Sequence, residues 1–113
     1  MANWQTYDFP DAVKGDNYSD KLFEIKLNNV AANLTGASIK MRLFNSYYNP
    51  VEFTTSNSKI VITDASAGKF KVVFGKITLE PAIYKHDIEI TFADGAVKTW
   101  IKGTIKVLAD ITQ

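Results

Sequence analysis

The stretch IEITFADGAVKTWIKGTIKV (residues 88–107) alternates apolar and polar side chains on both sides of Asp94-Gly95. Period-two alternation puts successive side chains on opposite faces of a strand, and an Asp-Gly pair between two such runs marks a β-hairpin. With Asp94-Gly95 as a two-residue turn, Ala93 pairs with Ala96 and the register runs back from there. Phe92 then faces Val97, Ile90 faces Thr99 and Ile88 faces Ile101 on one side of the ribbon. On the other side Thr91 meets Lys98, Glu89 meets Trp100 and Asp87 meets Lys102. This register collects apolar pairs on one face and an acid–base pair on the other, and a slip of one residue would reverse every side chain. It also turns Trp100 outward, beside Glu89 and between Lys98 and Lys102. Such a ring is either roofed by lysine stems or covered by another subunit, and the expectation is a subunit.

The same period recurs along the chain. KLFEIKLN puts Phe23, Ile25 and Leu27 on one face; ASIKMRLF does the same with Ile39, Met41 and Leu43. KIVIT offers Ile60 and Ile62, KFKVVF offers Phe70, Val72 and Phe74, and IYKHDIEITF aligns Tyr84, His86, Ile88, Ile90 and Phe92. Half-buried antiparallel strands read this way, whereas buried parallel strands are apolar throughout. NLTGA, NSYYNP, TDASAGK and ADGA supply the intervening turns. Only GKITLEPA, where Ile77 and Leu79 lack evident partners, suggests a turn of helix. Lys98, Lys102 and Lys106 are spaced by four, but the Thr, Ile, Val and Gly103 around them favour a strand. Short strands at close spacing predict an all-β fold: a single antiparallel β-sandwich, immunoglobulin-like, of seven to nine strands, with a small β-barrel as the alternative. Residues 1–113 form one domain, with 1–14 as an edge strand or an N-terminal arm.

Composition narrows the function classes. At 113 residues the chain fits one domain, and 46% hydrophobic with 22% charged residues is ordinary for a globular protein. Thirteen basic against twelve acidic residues leave a net charge of +1, too weak a field to attract nucleic acid or an anionic membrane. There is no Cys for a disulfide or a thiolate metal site. MANWQTYDFPDAVKGD has acids, a Pro and no apolar run, unlike a signal peptide, and no segment approaches the ~20 apolar residues of a membrane span.

Chemistry finds little to stand on. His86 is the only histidine, and parity places it inward, opposite Gly103, as a satisfied buried ring rather than a base or metal ligand. Asp87 and Glu89 share a face at roughly 7 Å, the spacing of two strand steps, but beside lysines they read as solvated surface charge rather than a glycosidase pair. TDASAG has one carboxylate, Asp64, where a calcium site gathers several. Lys98, Lys102, Lys106, Lys40 and Arg42 around Trp100 loosely suggest a stacking platform, which Asp87 and Glu89 interrupt. The sequons at Asn17 and Asn33 have meaning only on a secreted chain. KGD at Lys14–Asp16 reads as the turn before the first strong strand. The residues therefore point to no enzyme, no catalytic, cofactor or metal site, no cofactor, and neither nucleic acid nor membrane as a partner. They do point to protein contact. The aromatic NWQTYDFPD and the tyrosines of FNSYYNP are where interface energy would concentrate, giving Trp4, Tyr7, Phe9, Tyr47, Tyr48 and Trp100 as contact candidates.

The order of the motifs carries a resemblance. An aromatic segment ending in KGD, a strand FEIKL, LTGASIKMRL, a GKF strand, IYKHDIEI, ADGAVKTW and a closing GTIKVLADIT follow one another from Trp4 to Thr112. This resembles small phage virion proteins and the immunoglobulin-like N-terminal domain of phage baseplate upper proteins. Ile83 stands where those sequences usually have Gly before the Tyr, His86 stands for the second Tyr, and NSYYNP replaces an often Gly-rich loop. The resemblance implies an architectural protein without catalytic residues, a building block of virion head, neck or tail/baseplate. It would be made in the host bacterial cytoplasm without a signal peptide, and would assemble with itself as a homo-oligomer and with other phage structural proteins. The alternative is a carbohydrate- or host-surface-binding β-sandwich module, which needs coplanar exposed rings on one sheet face.

Overall fold

A computed structural model describes residues 5–27 and 29–109. They form thirteen strands: β1 Gln5–Thr6, β2 Ala12–Val13, β3 Asn17–Tyr18, β4 Lys21–Glu24, β5 Lys26–Leu27, β6 Val30–Ala31, β7 Ser38–Phe44, β8 Val51–Thr54, β9 Ile60–Asp64, β10 Lys69–Val72, β11 Gly75–Lys76, β12 Ala82–Thr91 and β13 Val97–Leu108. The number exceeds the expected seven to nine because the N-terminal segment and the first strong strand are broken into short pieces.

The larger sheet runs β1-β13-β12-β7-β8, with β2 also pairing β13. The second runs β4-β10-β9, and β3-β11 and β5-β6 form two-stranded ribbons. The alternating side chains of the two larger sheets fill one core, as in a β-sandwich. Ile39, Met41 and Leu43 come from β7, Ile88 and Ile90 from β12, Ile105 and Val107 from β13, and Ile60, Phe70 and Val72 from the facing sheet. This bears out the all-β sandwich and the inward faces read from the alternation of β7, β12 and the end of β13. GKITLEPA is not helical. Gly75, at φ 61°, and Lys76 pair with Tyr18 and Asn17, the Ile77 amide donates to Asp16 O at 2.9 Å, and Ile77 is buried. A β-branched pair ahead of Pro81 is poor helix material, and strand pairing wins.

Residues 5–14 lie along the edge of β13. Gln5 and Thr6 pair in parallel with Ile101 and Lys102, and Ala12 and Val13 with Val107 and Leu108. Between the two short strands the Tyr7 amide donates to Lys102 O at 2.8 Å and the Phe9 amide to Thr104 O at 2.9 Å. Phe9 turns into the core against Phe23, Phe74 and His86. The KGD turn closes the segment: the Asp16 amide donates to Val13 O, the Gly15 amide to Ile77 O, and Lys14 Nζ lies 2.8 Å from Glu80 Oε1.

Candidate functional site

The β12–β13 hairpin corrects the expected register. The loop is Ala93-Asp94-Gly95, not Asp94-Gly95 alone. The Gly95 amide donates to Phe92 O at 2.8 Å, Gly95 sits at φ 90°, and the Phe92 amide donates to Ala96 O at 2.8 Å. Three-residue hairpin loops of this kind place their last residue in the left-handed region, which glycine enters without steric cost. The tip is therefore one residue out of the predicted register: Thr91 opposes Val97, Ile90 opposes Lys98 and Glu89 opposes Thr99. A β-bulge between Ile88 and Glu89 then absorbs Trp100, and Ile88↔Ile101, Asp87↔Lys102 and His86↔Gly103 follow as predicted.

The bulge has a clear driving force. Adding one residue lets Trp100 and Ile101, neighbours in sequence, both turn inward. Trp100 is 8% exposed and Val97 57%, the reverse of the predicted orientation. Burying roughly 200 Å² of indole is worth on the order of 5 kcal/mol, against ~1.5–3 kcal/mol for a valine. Exchanging Val97 for Trp100 at the core face thus repays the disturbed ladder. The ring packs edge-on to Phe92 (6.3 Å, 75°), and Lys98 Nζ lies 4.8 Å from its centroid. Its cover comes from its own chain. Nε1 is buried without a hydrogen-bond partner among the described residues, at the wall of a groove of about 540 Å³ shared with Val30–Asn33, Phe92 and Lys98.

With Trp100 gone from it, the outer face of the larger sheet is a charge ladder. One register row reads Glu52, Arg42, Asp87, Lys102 across four strands, and the next reads Thr54, Lys40, Glu89, Thr99. Asp87 and Glu89 thus sit opposite basic residues. Asp64 Oδ1 accepts from the Ala67 amide at 3.3 Å and from Ser66 Oγ at 3.2 Å, so it caps its own turn.

His86 is buried on β12, between Leu43 of β7 and Gly103 of β13. Its Nε2 lies 2.7 Å from Tyr7 O and its ring 4.8 Å from that of Phe9. Burial pushes its pKa below the ordinary imidazole value, outweighing the Tyr7 carbonyl and the charges of Asp87 and Asp8. Opposite it, a Cβ on Gly103 would come 1.9 Å from Tyr7 O, so only glycine lets the N-terminal backbone lie against β13 here. Two residues earlier, the buried Tyr84 donates its hydroxyl to Glu80 O at 2.7 Å, and burial raises its pKa.

The contact candidates separate. Phe9 is 4% exposed and belongs to the core, and Tyr7, 36% exposed, packs edge-on to Phe9 and Phe23. Trp4 lies outside the described residues. In the loop after β7, Asn45 Oδ1 accepts the amides of Tyr47 and Tyr48, both at 2.9 Å, which fixes the turn. Tyr48 folds back to stack on Tyr84 (6.4 Å, 27°), while Tyr47 points away, 86% exposed. At the same end of the sheet Ile83, next to Tyr84 and opposite Lys106, is 61% exposed, and Leu108 lies diagonally beside it, also exposed. Sequence reasoning missed Ile83 and Leu108, although parity places both outward. The β4-β10-β9 sheet also exposes an apolar pair, Leu22 and Val61, flanking Lys71 in one register row. No protein-family model matches the chain, and no curated protein sequence matches it.

Proposed function

We propose that this protein is a non-enzymatic structural component of a bacteriophage virion, working by contacts with copies of itself and with other structural proteins. The observation that carries the contact reading is the exposure of four large side chains, Tyr47, Tyr48, Ile83 and Leu108, at one end of the larger sheet. Exposed apolar groups gathered on a rigid frame mark association surfaces, and tyrosine is favoured there. The virion assignment rests on the order of sequence motifs from Trp4 to Thr112.

An immunoglobulin-like sandwich is the finer fold reading, and two features support it. With β4, β10 and β9 as strands B, E and D, and β13, β12, β7 and β8 as G, F, C and C′, the two sheets follow the immunoglobulin order. Tyr84, near the start of the F strand and bonded to Glu80 O, has the form of a tyrosine corner. His86, two residues on, takes the place where antibody domains carry their second cysteine. A glycan-binding module would need coplanar exposed rings, and the Phe92–Trp100 pair crosses at 75° with Trp100 mostly buried.

The test is native mass measurement across concentration, with wild type beside a Tyr47→Ser/Ile83→Ser double variant, together with mass spectrometry of purified phage particles. A defined oligomer that the double variant weakens at least tenfold, and the chain's presence in particles, are expected. Absence from the particles would sink the virion reading. Unaltered association in the double variant would remove the contact role from this end.

A further inference from the structure

We propose that His86 is an acid-sensitive latch for the N-terminal edge strand, so that below neutral pH its protonation releases residues 5–11 and opens the edge of β13. The bond that closes the latch spans 79 positions in sequence, from His86 Nε2 to Tyr7 O at 2.7 Å. A carbonyl only accepts, so Nε2 carries the hydrogen and the neutral ring presents a bare Nδ1. That Nδ1 is buried and has no hydrogen-bond partner among the described residues. A proton added there would create a buried N–H with no acceptor among the described residues and a charge that burial disfavours, a state that protein interiors avoid.

Relief lies in the neighbouring segment. Between β1 and β2 it is held to β13 by the Tyr7 and Phe9 amides, and by Asp8 Oδ1, which accepts from the Thr104 amide at 3.0 Å and from Thr104 Oγ1 at 3.2 Å. Its one fully buried anchor is Phe9, whose ring touches that of His86. Lifting this strip hydrates the imidazole without disturbing β12, and local openings of this kind cost less than global unfolding. Other charges set the balance. Asp8 on the segment and Asp87 on β12 favour the protonated ring, and burial opposes it and prevails. Lys85 on β12, Lys102 on β13 and Arg42 on β7 occupy adjacent outward positions, while β7 places Leu43 directly opposite His86.

The sign follows. The docked ring has a lowered pKa, and the released ring returns to about 6.5. Docking is therefore at full strength above about pH 6.5 and is lost as pH falls from there towards the docked pKa. One proton taken up on opening raises the opening constant by at most about tenfold per pH unit in that window.

The test is amide hydrogen exchange of the full chain at several pH values from 7.5 to 5, corrected for intrinsic exchange, beside His86→Gln, whose amide can still donate to Tyr7 O but does not titrate. Protection at Tyr7 and Phe9 should fall relative to β12 amides in wild type and stay level in the variant. A constant ratio in wild type, equal loss in β12, or a variant that tracks wild type would each overturn the latch. Should H86Q not fold, the NMR titration of the single imidazole decides. It should titrate lower in wild type than in Gly103→Ala, where the segment is forced off. Identical titrations in the two would equally overturn it.

Discussion

The stem and the tip of the β12–β13 hairpin obey the same alternation but solve it differently. In the stem, from Ala82↔Val107 to Ile88↔Ile101, the inward Tyr84, His86 and Ile88 of β12 are buried, Ala82 is partly so, and the pairing follows period two without a break. In the tip, Ile90 is buried opposite Lys98, and Val97 is turned to solvent. The stem is held on both sides, by β7 and by the N-terminal segment packed over Gly103, so its register cannot shift without undoing neighbours. In the tip β12 stays paired with β7, Glu89 with Lys40 and Thr91 with Ser38. Residues 97–100 of β13, however, have no strand on their other side among the described residues, so their register is set by the loop and by one large ring. There the loop chose a three-residue turn, and the ring chose a bulge that corrects the shift. A heavy side chain on the wrong parity signals that a strand has room to insert a residue.

The comparison can be broken first at the stem. Gly103→Ala drives a Cβ into Tyr7 O and should expel residues 5–11. Losing the Phe9 anchor (~1.5–3 kcal/mol) and two ladder bonds (~1 kcal/mol each) gives a destabilisation of about 3.5–5 kcal/mol, read by denaturant unfolding. At the tip, Trp100→Ala should cost about 3 kcal/mol, the low end for such a truncation, because the site already opens to the groove beside Asn33. The smallest effect is the sharpest discriminator. Val97→Thr should change stability by no more than about 0.5 kcal/mol, as for other exposed positions. In the unbroken register the same change would bury a hydroxyl and cost roughly 1–3 kcal/mol.

Much of this was legible in the sequence because alternation is a local signal. The inward faces of β7, β10, β12 and the end of β13, the strand character around Lys98 and Lys102, and His86 over Gly103 all follow from parity. The tip was not, since Asp94-Gly95 serves a two-residue and a three-residue loop equally well, and only the competition between Val97 and Trp100 for the core separates them. Phe9 looked like a contact residue because NWQTYDFPD has poor alternation. Its burial depends on a parallel pairing with β13, some ninety residues away, that no local pattern announces. Asn45 did prefigure a turn, but which tyrosine it would aim outward depended on the ring of Tyr84 beneath the loop.

The functional reading hangs on that tip. An outward Trp100 would return a ring to the outer sheet face and revive a glycan- or host-surface-binding role, whereas a buried one leaves a charge ladder there and the Tyr47–Ile83 end as the contact surface. Cross-strand backbone NOEs in the hairpin test this most directly. Contacts joining Glu89 to Thr99 and Thr91 to Val97, with Ile88 still paired to Ile101, are predicted. Contacts joining Glu89 to Trp100 and Thr91 to Lys98 would contradict the bulge and the surface assignment built on it.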